Sequence, residues 1–299
     1  MKTLKTLGLL LLFSLFALKG ISQEKAPNSI KVISYNIWNG FEKDAARQTR
    51  FTEWMNRQKP DIVALEELVG INEKDLSALA ASYGHPYVAI VKEEGYPVGL
   101  TSRKPIDVVK KQVEGFWHGM LHAQTYGLDI IVTHLSPFEW KYRLKEAEAI
   151  TQYIRENKLE SCMVMGDFNA YSPFDADEVE THTQLRQNMQ GWDKSHPEYG
   201  NMRGEQFDYS VLSQFLSIGF ADPVKMFVPA EKRMSYPAAT LYEWQWGDPR
   251  LKMLGERLDY ILVSPALAPK CIGAAVHNGE ELEGISDHYP VSLLLEQQR

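Results

Sequence analysis

Cys162-Met163-Val164-Met165-Gly166-Asp167-Phe168-Asn169-Ala170 is the stretch from which the rest of the chain can be read. Its apolar start is too short for an ordinary helix and reads as a buried strand. The polar groups of Asp167 and Asn169 then sit where the strand gives way to a loop, on a rigid base. The same arrangement recurs outward in both directions. Leu128 to Thr133 runs into His134-Leu135, Asp61 to Leu65 into Glu66-Glu67, and Ile30 to Tyr35 into Asn36. Towards the C-terminus, Arg257-Leu258-Asp259-Tyr260-Ile261 opens a strand from Leu258 to Val263, and Ser286-Asp287-His288 precedes a strand from Val291 to Leu295. Further strands are expected at Tyr87 to Val91, Gly99 to Ser102, Ile106 to Val113 and Cys271 to Val276, with Met120 to Thr125 joined to Leu128 to Thr133 at Gly127. Helical spacing marks Ala45 to Gln58 through Phe51, Trp54 and Met55, stopped by Pro60, and Lys141 to Asn157 through Leu144, Ala147, Ile150 and Ile154. Leu76 to Ser82 and Tyr209 to Ile218 read as short helices, and the remainder of 172–250 is less regular. This mixture predicts an α/β domain built on packed sheets.

Taken singly, each strand-end residue has an ordinary explanation. An Asn or Asp after a strand is usually a turn or cap residue, and a lone His is usually structural. Together they supply what phosphoester cleavage needs. A hard cation such as Mg²⁺ takes carboxylate and amide oxygens and keeps several waters, so it requires few protein ligands. Glu67, Asp287 and Asn36 are ligands of that type, while two His and a further Asp can handle protons and transition-state charge. No HExxH, CxxC, P-loop or GxSxG motif competes.

The ordered set Asn36, Leu65-Glu66-Glu67, Thr133-His134-Leu135, Gly166-Asp167-Phe168-Asn169, Arg257-Leu258-Asp259-Tyr260-Ile261 and Ser286-Asp287-His288 resembles the endonuclease/exonuclease/phosphatase superfamily. Ser102-Arg103-Lys104-Pro105-Ile106 also resembles that family's structural S-R-x-P-I turn. The resemblance runs from about Ile30 to Leu295. It implies a deoxyribonuclease I-like four-layer sandwich, two packed mixed β-sheets flanked by helices, over residues 30–299. It also implies a Mg²⁺- or Mn²⁺-dependent phosphoric ester hydrolase. Glu67 is the implied metal carboxylate, completed by Asp287 and Asn36; Glu66 stands where the family usually has Gln. Asn36 is also an implied substrate contact. Asp167 and Asn169 orient the attacking water and bind phosphate. His288, oriented by Asp259, acts as base or charge stabiliser, and His134 meets the phosphate from the other side. His118 stands near the place of a basic residue in many relatives, as a phosphate contact or a structural His. Glu93 or Glu94 is a possible partner for His134.

The N-terminal residues have a different character. Lys2 and Lys5, the apolar run Leu7 to Leu18 and the small residues of Gly20-Ile21-Ser22 match a signal peptide over 1–22, followed by a linker at 23–29. The expected location is secreted or periplasmic, with no transmembrane segment in the mature chain. An uncleaved anchor is the alternative. Removing Lys2, Lys5 and Lys19 moves the formal charge from −7 to −10. An acidic protein is a poor non-specific binder of polyanions. The expected substrate is therefore a small or lipid-linked phosphoester. A secreted nuclease is the alternative, and a non-catalytic binding module is disfavoured by the intact motif residues. Basic clusters are short, Lys141 to Lys145 being the one placed to approach the site. Tyr236 to Trp246 carries aromatics suited to stacking or to a covering hairpin. Cys162 and Cys271 permit one disulfide, although Cys162 reads as a buried thiol. A monomer is expected.

Overall fold

The computed structural model describes residues 28–241 and 255–297. The expected signal peptide, most of the linker, and Tyr242, Trp244 and Trp246 lie outside the described residues. Among the described residues, eleven strands form two sheets. The first orders as β10-β11-β1-β2-β4-β3: Cys271–Val276, Val291–Glu296, Ser29–Asn36, Ile62–Glu66, Gly99–Ser102 and Tyr87–Ile90. The second orders as β5-β6-β7-β8-β9: Asp107–Gln112, Met120–Thr125, Leu128–His134, Cys162–Asp167 and Asp259–Val263. Both sheets mix parallel and antiparallel pairs.

Side-chain alternation explains how the sheets stack. On β8, Met163 and Met165 join the core shared by both sheets, whereas Cys162 and Val164 face a second core under helices. On β9, Ile261 and Val263 point inward while Tyr260 and Leu262 take the helix side. The helix layer there comprises α3 (Trp140–Glu156), through Ala147, Ile150 and Ile154, and α6 (Ser210–Ser217), through Val211, Leu212 and Phe215. On the first sheet, α1 (Ala45–Gln58) lays Phe51 and Trp54 against Tyr35 of β1, with ring centroids 5.8 and 6.1 Å apart. Both side chains are fully buried, each contributing about 1.5–3 kcal/mol by removal from water. Asp44 caps this helix by accepting from the N–H groups of Ala46 and Arg47. Helix α2 (Glu73–Ala81) packs against β3.

The β6–β7 hairpin closes on Tyr126 and Gly127, both with positive φ, the backbone that a two-residue turn needs. The Cys162 and Cys271 thiols are free and buried, each on its own sheet. The stretch 172–241 is more helical than its sequence suggests. It holds α4 (Ala176–Thr181), α5 (Thr183–Ser195), α6 and α7 (Pro223–Phe227).

Candidate active site

Strand register gathers the polar strand ends at one edge of the sandwich. Parallel pairing sets Asn36 opposite Glu66 and His134 opposite Asp167, and antiparallel pairing sets Asp259 opposite Asp167. Gly166 permits this closeness: its φ is +141°, and a Cβ there would collide with the Thr133 carbonyl. The loop before β11 adds Ser286, Asp287 and His288. Its Ser286 Oγ donates to the Asn36 carbonyl at 2.7 Å and accepts the His288 N–H at 3.2 Å.

Asp167 lies at the centre. Its Oδ2 accepts from Asn36 Nδ2 at 3.2 Å and sits 3.4 Å from His134 Nε2 and 3.6 Å from His288 Nε2. Its Oδ1 accepts the Asn169 N–H at 2.9 Å. Burial, opposed by His288 and reinforced by Asp259, pushes the Asp167 carboxyl up to about 7. His288 Nδ1 is 2.8 Å from Asp259 Oδ2. Burial works against charge on this imidazole, but Asp259, Asp167 and Asp287 outweigh it and hold its pKa well above the usual value. His288 is therefore an imidazolium between two carboxylates. Ser235 Oγ fixes the start of β9 by accepting the N–H groups of Leu258 and Asp259 at 3.0 and 3.1 Å.

The opposite imidazole differs. His134 Nδ1 is buried and, among the described residues, has no hydrogen-bond partner; neither Glu93 nor Glu94, both exposed, bonds it. Its ring lies 4.3 Å from that of His118, centroid to centroid. Burial, with His118 and His288 nearby, holds the His134 pKa well below the usual value. His118 is itself buried beside Tyr96, and burial with Lys92 lowers its pKa to about 3. The pair is uncharged.

The adjacent carboxylates at the end of β2 part company. Glu66 turns into the interior, where Ser34 Oγ donates to its Oε1 at 3.1 Å. Burial, then Asp259 and Asp167, raise its pKa well above the carboxylate range, so it rests neutral. Glu67, at φ 59°, turns into the cleft. Its Oε1 accepts from Asn36 Nδ2 at 3.1 Å and its Oε2 accepts the Asn39 N–H at 2.9 Å. Asp287 faces the same cleft; burial raises its carboxyl to about 7, with His288 opposing and Glu67 adding to the rise. Glu67 and Asp287 thus offer neighbouring carboxylate oxygens, the donor set a hard divalent cation takes. Asn36 presents its amide nitrogen to the acids, while its Oδ1 accepts the Trp38 N–H at 3.0 Å. Ligand atoms of Asp167, Asp259 and His288 also fall within 4.8 Å of one another. There both imidazole nitrogens face carboxylates, Asp259 at Nδ1 and Asp167 at Nε2.

Glu67, His134, Asp167, Asn169, Asp287 and His288 line a cleft of about 410 Å³. Tyr96, Trp117, Phe138 and Tyr236 wall it, and among the described residues no Lys or Arg lines it. Arg143, from the basic cluster 141–145, does not reach the cleft. It is buried and donates to the Ser136 carbonyl and Asn201 Oδ1, holding the loop after His134. Arg47 is a second clamp that sequence reasoning missed. It donates to the carbonyls of Ile37, Trp38 and Ile285, tying the Asn36 and Ser286 loops to α1. Glu256, at the cleft wall, was missed as well.

The sequence pattern of the Endonuclease/Exonuclease/phosphatase family matches residues 33–288. A DNA-(apurinic or apyrimidinic site) endonuclease of Dictyostelium discoideum is 26% identical over 286 residues, 90% of this chain and 71% of that one. An AP endonuclease from Archaeoglobus fulgidus superposes with a TM-score of 0.66 at 20% identity, covering 89% of this chain and 99% of that one. A 3′ phosphatase from Neisseria, bound to a product DNA hairpin, gives 0.64 at 20% identity over 88% and 98%. These structures share the fold of two packed mixed sheets with flanking helices.

Proposed function

The chain belongs to the endonuclease/exonuclease/phosphatase family, and on that premise we propose that it is a Mg²⁺- or Mn²⁺-dependent hydrolase of a small or lipid-linked phosphoester. One observation carries the substrate reading. The cleft is lined by His288, backed by Asp259, together with Glu67 and Asp287, yet its described lining holds no Lys or Arg to attract further phosphates.

Glu67 and Asp287 would hold the cation. When bound, it supplies charge stabilisation at a phosphoryl oxygen and a more acidic water. Asp167, held by Asn36 and the Asn169 N–H, orients the attacking water and accepts its proton. His288, fixed through Nδ1 by Asp259, donates Nε2–H to the phosphate as charge builds. His134, uncharged, approaches from the other wall. Asn169 and His118, which line the cleft, contact phosphate oxygens in this reading. The protein acts outside the cytoplasm after loss of residues 1–22; finding Met1 on exported protein by N-terminal sequencing would contradict this.

A nuclease is the second reading, supported by the DNA-directed names of the relatives. Hydrolysis of a panel of sphingomyelin, sugar phosphates, inositol phosphates and nucleic acids decides between them. Turnover of a single-phosphate ester well above that of DNA or RNA is expected. The reverse order would replace the first reading by the second.

A further inference from the structure

Outside the groups assigned above, one carboxyl lines the cleft without a role. Glu256 is only 6% exposed, yet it lines the cleft beside Leu258 and His288. Its backbone is fixed, exchanging N–H and carbonyl bonds with Tyr236 and accepting the Ser235 N–H. Its Oε2 accepts the hydroxyl of buried Tyr171 at 2.5 Å. Among the described residues nothing bonds Oε1, and no cation pairs with the group. Burial, eased by Tyr171 and His288, pushes its carboxyl up to about 7. Oε2 is thus held from within, whereas Oε1 is not sealed from solvent and keeps its acceptor sites open to a group from outside the chain. The family pattern read from the sequence does not include this position.

We infer that Glu256 is a specificity residue whose free oxygen recognises a hydrogen-bond donor, a hydroxyl or an ammonium, on the organic part of the substrate. The inference rests on the phosphoesterase reading above. A rigid acceptor at the wall favours an alcohol carrying a second polar hydrogen. It also disfavours a second phosphate at that point, in keeping with the absence of Lys and Arg from the described lining.

The test uses the full chain with Mg²⁺ and three ester arms of similar size: propyl, dihydroxypropyl and aminoethyl. Each arm is offered as a phosphomonoester, read by phosphate release, and as a para-nitrophenyl diester, read by nitrophenolate release. A donor-bearing arm should exceed propyl in kcat/KM by about tenfold to a hundredfold. The larger of the two ratios tells whether hydroxyl or ammonium is read. Glu256→Ala should bring the ratio to about one. Glu256→Gln guards against misfolding, because its amide can keep the Tyr171 bond. With its one oxygen on the Tyr171 hydroxyl it turns its NH2 to the cleft, so it should retain preference for the dihydroxypropyl arm, whose hydroxyl oxygens can accept from that NH2, and lose preference for the aminoethyl arm, whose ammonium can only donate. Equal rates on all three arms in the wild type, or a ratio that survives Glu256→Ala, would overturn the assignment. If folded wild type cleaves none of the esters, the phosphoesterase reading falls, and this inference with it.

Discussion

At Asp167 a single carboxylate oxygen faces an amide and two imidazoles that are not equivalent. His288 has Asp259 behind it and stays charged, whereas His134 has no partner at Nδ1 among the described residues and stays neutral. His288→Ala should therefore lower turnover by roughly two to four orders of magnitude. Asp259→Asn should impair the same step, because an amide can hold the wrong tautomer. The double variant should be little worse than the worse single one, since both residues serve one function; losses that simply multiply would separate them. The two neighbouring carboxylates give a second contrast. Glu67→Gln should raise the Mg²⁺ concentration needed for half-maximal rate far more than Glu66→Gln, whose neutral, interior side chain an amide can mimic. The reverse order in a metal titration would place the cation at the wrong carboxylate. Most of these residues were legible because each interrupts an apolar strand with a polar group. Arg47 was not, because an Arg in an amphipathic helix reads as solvated, and only the fold brings three carbonyls around it.

Among the elements, the strands and long helices could be placed because burial imposes a period. Predicted Ala45 to Gln58 is helix α1, and predicted Cys162 to Met165 is β8, extended to Asp167. Helix α5 escaped because Leu185 alone of its thirteen residues is buried, leaving no apolar stripe to count. Between α2 and β3, His85 illustrates how element packing sets a pH response. It is fully buried, with Nε2 2.9 Å from the Pro60 carbonyl and Nδ1 2.8 Å from Thr101 Oγ1. Burial lowers its pKa to about 4, so the folded state holds it neutral. The unfolded chain binds the proton first. The contribution is therefore complete above about 6.5 and declines as pH falls towards 4, by up to about 3 kcal/mol. In urea unfolding, the stability gap between wild type and His85→Asn should narrow across that window. A gap that stays constant with pH would show that His85 titrates as it does in the unfolded chain.

For the molecule as a whole, two sheets are stacked so that one edge collects Asn36, Glu67, His134, Asp167, Asp259 and His288 from segments far apart in sequence. Among the described residues, no helix is long and apolar enough to cross a membrane. The formal charge of −7 and a cleft whose described lining lacks Lys and Arg leave a bound cation as the main attraction for phosphate. The most direct measurement is therefore hydrolysis of para-nitrophenyl phosphate and bis-para-nitrophenyl phosphate before and after exhaustive chelation, with Mg²⁺ or Mn²⁺ then restored. Activity should disappear with the chelator and return with either ion in wild type, and return poorly in Glu67→Gln. Full activity in the chelated protein would contradict the account.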